Sequence, residues 1–385
     1  MAESMLDHGL MATLQTFSIP IVLLLAPFAL LTLSNKLKIS GSKQSVDERA
    51  TDPTTADYSK FDTSNVRVTK ILIHPIKSCK GTSVQEAKYT LEGLEHDRKW
   101  CILNADNSSV VTARQFSKMV LIHPRIVPDG SSPEGGRLEV SFPDDSGCET
   151  FSIPLNPTEG MLRQWRNVDD AELWGKKDID GYICETLTGR SPSVILSEYF
   201  GYAVHLVVKG PRPRICPPTL RFPKLDAPSY FQDGYPLLIV SEESLAAVQA
   251  RVRDMIGVQG VAEKWETEEL VVERFRPNIV FKGAGAPFLE DIVTELSIDS
   301  HPEVMEDAAP PIHLVSKCAR CLLPNVDTST GIRDNAVPYK AMMKFRRGLD
   351  PARVSAPCFG CNGILTGEGT VRVGNWVHVR KMGFV

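Results

Sequence analysis

Lys317-Cys318-Ala319-Arg320-Cys321-Leu322-Leu323-Pro324-Asn325-Val326-Asp327-Thr328-Ser329-Thr330-Gly331 is the stretch around which the chain is organised. Two cysteines stand three positions apart and flank an arginine, and an apolar pair and an Asp-Thr-Ser-Thr-Gly turn follow. A thiolate beside a fixed guanidinium is a good ligand for a soft metal, because the cation favours the ionised sulfur.

Upstream, Arg274-Phe275-Arg276-Pro277-Asn278-Ile279-Val280 reads as a strand with Arg276 and Asn278 two apart, hence on one face. Before it, Pro236–Val240 reads as a short buried strand. Ser241-Glu242-Glu243 then starts a helix by N-capping and an acidic first turn, with Leu245, Val248, Val252 and Ile256 on one face. Ser241 is a cap first, although a helix N-terminus also offers unpaired N–H groups to a phosphate. Nearer the N-terminus, Arg67–His74 is a strand by its β-branched content, and it runs into Pro75–Gly81. There Lys77, the Ser78 hydroxyl and free backbone N–H groups suit an anion, with an ordinary solvated loop as the plain alternative. Asp97–Leu103 and Ser109–Gln115 read as a hairpin around Asn104–Ser108, which makes Arg98 and Arg114 exposed strand-end charges. Residues 120 to 215 alternate short apolar runs with Pro, Asp and Gly clusters, as in an irregular β-rich region. Within them Trp174 to Phe200 reads as a strand followed by helical segments, and Arg212 and Arg214 form a basic loop.

Downstream, Cys358-x-x-Cys361 joins Cys318-x-x-Cys321 in a pattern that alone reads as a tetrathiolate zinc site. The gap between the pairs is longer than the common ~15–20 residues. Thr370–Arg380 reads as two alternating strands around Gly374-Asn375, a closing hairpin for a barrel.

The 385 residues suffice for an anchor plus two modest domains, and a net charge of −4 gives no reason to expect nucleic acid. Nine scattered cysteines are an odd set, not a disulfide framework, and favour a reducing compartment. Gly9–Ser34 carries no charge and Phe17–Leu33 is almost wholly apolar, enough for a span of ~20 residues. Glu3 and Asp7 before the span argue for an uncleaved signal anchor over a cleaved signal peptide, and Lys36, Lys38 and Lys43 after it place the bulk of the chain in the cytosol. Residues 36–65 read as a flexible tether.

These motifs, in this order, resemble the MOSC-domain proteins, and among them the mitochondrial amidoxime reducing component family. The resemblance spans roughly residues 66 to 382 and implies an α+β, β-rich fold. In it a MOSC N-terminal-like domain (66–215) precedes a MOSC domain (216–385) whose partly closed barrel holds the cofactor. It implies that Cys321 ligates molybdenum of a molybdopterin cofactor, which outweighs the zinc reading. Lys77, Ser78, Arg98, Arg276 and Asn278 would contact the pterin and its phosphate, with Arg114, Ser241 and Arg320 as further cofactor contacts. Many relatives have Thr-Thr where this chain has Pro324-Asn325, so Asn325 is a candidate substitute near the metal. Asp327 is equally a turn-stabilising carboxylate and a catalytic candidate. The implied activity is reduction of N-oxygenated substrates (amidoximes, hydroxylamines, with nitrite a further candidate) using electrons from cytochrome b5 and its reductase. The expected location is the outer mitochondrial membrane, with the endoplasmic reticulum second. A cofactor carrier or sulfuration-related protein without reductase activity is the alternative.

Overall fold

Leu237-Leu238-Ile239-Val240 has no polar face, and the computed structural model shows why: this strand is covered on both sides. The structure describes residues 58–186, 189–304 and 309–383. The expected membrane anchor and most of the expected tether lie outside them. Among the described residues no helix is long and apolar enough to cross a membrane.

Seven strands close into a barrel: β1 (Arg67–Ile73), β2 (Leu237–Ser241), β3 (Ile279–Lys282), β4 (Val293–Asp299), β5 (Ile312–Ala319), β6 (Cys358–Leu365) and β7 (Trp376–Met382). Their order is β3-β2-β6-β5-β4-β7-β1, and pairing of β1 with β3 returns the sheet to its start. Closure is therefore complete rather than partial. It depends on β1, which comes from the N-terminal part of the chain and bridges the gap between β7 and β3. The sole parallel pair of the barrel is β2 with β3, whose crossover contains the helix Glu242–Arg253.

Alternation along β2 divides its side chains between two cores. Leu237 and Ile239 join Ile71, Ile279, Phe281, Leu296 and Leu314, whereas Leu238 and Val240 join Val248 and Val252 of the helix. Each such side chain contributes about 1.5–3 kcal/mol on full burial, so the strand is held from both faces. Gly360 in β6 sits at φ +75°, and a Cβ there would lie 2.5 Å from Val240 Cγ1 and 2.9 Å from the Ile239 carbonyl oxygen. Only glycine fits.

The rest of the N-terminal part forms a four-stranded sheet of Trp100–Asn104, Val204–Lys209, Lys176–Ile183 and Asn167–Leu173, in that order. A three-stranded meander (His123–Pro128, Gly136–Ser141, Phe151–Pro154) and the helix Pro192–Phe200 share a core with one face of it.

Four local expectations are corrected. Residues 274–280 are not one strand: a 3₁₀ turn covers Val272–Phe275, Arg276 adopts φ 58°, and β3 begins only at Ile279. Pro277 has no N–H to give a ladder, which favours the break. The expected hairpin at 97–115 shrinks to a tight return with a single bridge, Leu103 to Val110, because the main partner of Trp100–Asn104 is Val204–Lys209. Gly374-Asn375 is a turn, but its arms diverge: Gly369–Arg372 pairs with Glu86–Thr90 and β7 pairs with β4. The helix ends at Arg253, so Ile256 lies beyond its face.

Ser241 caps that helix, its hydroxyl oxygen accepting from the Ser244 N–H at 3.1 Å. It also lies 3.0 Å from the buried Glu290 carboxyl. Burial, then the charge of Asp291, pushes Glu290 up to about 7 from its ordinary 4.5. A carboxyl whose pKa is raised by folding stabilises while protonated, so its contribution is complete below pH 4.5 and is lost as pH rises through 7. Glu290→Gln, which keeps an acceptor for Ser241 without the charge, should raise stability at pH 8 by ~1–3 kcal/mol and flatten the change between pH 5 and 8. Denaturant titrations at the two pH values check this, and an unaltered pH slope would refute it.

Candidate active site

A cleft gathers residues that lie far apart in the sequence. Lys77, Ser78, Arg98, Arg114, Arg276, Asn278, Arg320 and Cys321 all line it, with Trp174, Gln232, Asp233 and Cys318. The loop after β1 carries Lys77 and Ser78, the turn before β3 carries Arg276 and Asn278, and the end of β5 carries the cysteines. The barrel thus brings three motifs to one rim. Arg98 comes from the segment that leads into the four-stranded sheet.

Backbone strain is concentrated here. Eight non-glycine residues among those described have φ in the left-handed region, and four of them line the cleft: Ser78 (68°), Arg98 (50°), Trp174 (57°) and Arg276 (58°). Such conformations cost of order 1–3 kcal/mol each and persist where the surroundings over-determine them, as at binding sites.

The positive charges are held by a fixed scaffold. Arg98 donates to both oxygens of the fully buried Asp97 (2.9 and 2.7 Å), to Asn278 Oδ1 (3.2 Å) and to the Arg276 carbonyl (2.9 Å). Arg276 Nη1 donates to the Cys79 carbonyl at 2.6 Å, while its Nη2 is buried with no partner. Burial, then the neighbouring Arg98 guanidinium, pushes Arg276 down to about 9. Lys77 donates to the Phe231 carbonyl at 2.7 Å and pairs with Asp233; burial pulls its pKa down, and Asp233 opposes this. A buried guanidinium N–H without an acceptor, in a cluster of cations with one exposed carboxylate, is a site for an anion.

The sulfur end has its own geometry. Arg320 donates through Nη1 to Cys318 Sγ at 3.0 Å and through Nη2 to the Phe275 carbonyl at 2.6 Å. The guanidinium therefore faces Cys318, whereas the Cys321 sulfur accepts from the Leu323 N–H at 3.4 Å. Cys358 and Cys361 are buried in β6, where Cys361 packs in the barrel core and faces Asp291. Among the described residues no group of three or more His, Cys, Asp or Glu is gathered as for a metal ion, so the four cysteines do not assemble a tetrathiolate centre.

Three expected site residues are placed elsewhere. Ser241 is fully buried at its helix cap. Asn325 is also buried, donating to the Asp334 carbonyl at 2.8 Å and accepting from the Tyr339 N–H at 3.1 Å, so it ties the motif to the following helix. Asp327 pairs with Arg274 and takes N–H bonds from Ser329 and Thr330; against the upward pull of burial, these partners hold it down to about 2. Its geometry is that of a turn.

Of two features of this region, the first carried no separate signal in the sequence and the second was read only as part of a basic loop. Trp174, at the tip of the hairpin between Asn167–Leu173 and Lys176–Ile183, is 45 % exposed and has the Arg114 guanidinium 3.9 Å above its ring. Arg214 is not a solvated loop charge: it donates to the carbonyls of Tyr230 (3.0 Å) and Gln232 (2.8 Å) and so holds the loop that carries Asp233. An isolated tryptophan beside a Gly at a hairpin tip was the only available hint of the first.

Comparison with known proteins agrees with this architecture. Residues 65–186 match the MOSC N-terminal beta barrel domain and residues 226–378 the MOSC domain. Mitochondrial amidoxime-reducing component 1 of Mus musculus is 29% identical over 324 residues, covering 81% of this chain and 82% of the relative. The Homo sapiens component 1 is 29% identical over 323 residues, and the Homo sapiens component 2 is 29% identical over 326, each with the same coverage. The chain is a MOSC-domain protein with a MOSC N-terminal domain, similar over most of its length to the mitochondrial amidoxime-reducing components.

Proposed function

We propose that this protein is a molybdenum-cofactor-dependent reductase of N-oxygenated compounds such as amidoximes and hydroxylamines. The observation that carries the reading is the cleft itself, with an unsatisfied, buried Arg276 Nη2 among fixed cations at one side and the Cys321 sulfur at another. The donor set fits a phosphorylated pterin bearing a soft metal. Arg276, Lys77 and Ser78 would meet the phosphate, Arg98 and Asn278 would hold the Arg276 loop in place, and Cys321 would ligate the metal. When bound, the cofactor supplies the two-electron chemistry. The chain supplies the rest. Asp97 fixes Arg98, Arg98 fixes the Arg276 carbonyl, and the closed barrel keeps the sulfur loop in register with the phosphate end. Trp174 and Arg114 form a wall of the cleft where a flat substrate or the cofactor can rest.

In this reading the electrons come from another protein. Cytochrome b5 and its NADH-dependent reductase are the proposed donors, and the likeness to mitochondrial relatives supports a mitochondrial location. The uncharged Gly9–Ser34 run is the proposed anchor. A carrier of the cofactor without reductase activity would use the same cleft.

The test is metal and pterin analysis of the detergent-purified full chain, followed by hydroxylamine reduction with cytochrome b5, its reductase and NADH. Molybdenum with pterin and NADH-dependent turnover is the expected result. Molybdenum with pterin but no turnover supports the carrier, and zinc alone overturns both.

A further inference from the structure

We propose that Asp233 is a displaceable counter-ion of the cleft: its carboxylate occupies Lys77 while no anion is bound, and swings to Arg114 when a phosphate group arrives. This rests on the phosphate end of the function proposed above, and it adds a residue that opposes binding instead of supporting it.

Lys77 is buried and donates to the Phe231 carbonyl at 2.7 Å and to Asp233. Without that carboxylate its ammonium would be a buried charge lacking a counter-charge, which is costly. Asp233 is placed differently. Its side chain is 64 % exposed, and it is the one carboxylate among the described residues that line the cleft. Its backbone is fixed: Arg214 donates to the carbonyls of Tyr230 (3.0 Å), Gln232 (2.8 Å) and Asp233 (3.3 Å). What stays free is rotation of the Asp233 side chain between its staggered positions. A second partner is within reach, because Arg114 Nη2 lies 3.8 Å from Asp233 Oδ2. Meanwhile the buried Arg276 Nη2 still lacks an acceptor, so the carboxylate serves only the Lys77 half of the anion site.

An exchange of anions follows from this placement. An ion pair with one partner in water is weak and gives way to a better one. A phosphate ester brings ~1.5–2 negative charges and about three acceptor oxygens, enough for Lys77 and Arg276 together. A carboxylate left on Lys77 would face that charge at close range, and like charges repel. It therefore turns to Arg114, with no bond made or broken and no backbone shift. Affinity is then set by what the phosphate displaces as well as by what it meets.

The experiment titrates inorganic phosphate calorimetrically into the cofactor-free full chain and into Asp233→Asn, which keeps the shape of the side chain without its charge. Pterin is assayed in the same preparations as purified. Phosphate should bind Asp233→Asn at least about tenfold more tightly. With Lys77→Met in both chains that gain should vanish, since the carboxylate has lost its seat. Arg114→Met should weaken phosphate binding about threefold in the chain that has Asp233, and not in Asp233→Asn. Unchanged or weaker binding in a folded Asp233→Asn chain makes Asp233 a fixed support for Lys77 and overturns the proposal. A gain that persists without Lys77 overturns it as well. An equal loss from Arg114→Met in both chains makes Arg114 an anion contact and overturns the transfer to it. The expected phosphate pattern in chains that never carry pterin keeps the counter-ion and counts against the cofactor reading, whereas no phosphate binding to either chain overturns the counter-ion and the phosphate site together.

Discussion

Cys321→Ser is expected to abolish hydroxylamine reduction while most of the pterin remains bound. The two ends of the cleft do different work: the sulfur end offers soft ligation, and the Lys77, Ser78 and Arg276 end offers charge and hydrogen bonds. Serine keeps the size of the side chain and its partial exposure but replaces sulfur with a hard oxygen. The loss should exceed the ~10–100-fold that follows from disturbing a ligand's outer partners, because here the ligand itself is removed. Cys358→Ser and Cys361→Ser are the controls. Both residues are buried away from the cleft lining, so their cost should appear as lowered stability with turnover largely intact. Molybdenum, pterin and activity measured on all three variants decide the matter. If Cys358→Ser loses metal as readily as Cys321→Ser, the molybdenum assignment is wrong.

Much of this cleft was legible in the sequence because its motifs are local. Pro75–Gly81, Arg276-Pro277-Asn278 and Cys318–Cys321 are each short runs whose residue types state a chemistry, and the strands before or after them were read from β-branched content. What the runs do not carry is register. Nothing local in Arg67–Ile73 says that it seals the barrel between β7 and β3, since that depends on pairing partners more than 200 positions away. The same limit explains the C-terminal turn: Gly374-Asn375 makes a turn, but the partners of its two arms are chosen by distant strands. Arg274 and Arg276 show a finer failure. The run was read as one strand, whereas the left-handed Arg276 and the ring of Pro277 break the ladder and aim the two guanidinium groups differently, one at Asp327 and one at the cleft. Ser241 was a candidate by its place at a helix N-terminus, and Asn325 by its place in the motif that resembles the family's. Both turned out to spend their polar groups on backbone and neighbours, and this could not be read without the positions of Tyr339, Asp334 and Glu290.

Arg276→Ala is expected to lower the pterin content of the purified protein by about ten- to a hundredfold at a given cofactor concentration. A charge-assisted hydrogen bond typically contributes ~1.5–3 kcal/mol, and each ~1.4 kcal/mol is tenfold in affinity. The unpartnered, buried Nη2 makes the upper part of that range the relevant one, since without a ligand it bears a desolvation cost that an anion would relieve. Alanine also loses the bond from Nη1 to the Cys79 carbonyl and must occupy φ 58°, so some loss of stability accompanies the change. Arg276→Lys separates the two effects: it keeps a positive charge but not the planar fork, and should recover stability better than it recovers pterin. Thermal melts of cofactor-free protein then report the structural part, and pterin fluorescence of the purified protein reports the binding part. Full pterin content in a folded Arg276→Ala protein would remove Arg276 from the phosphate site and leave Lys77 and Ser78 as its remaining holders.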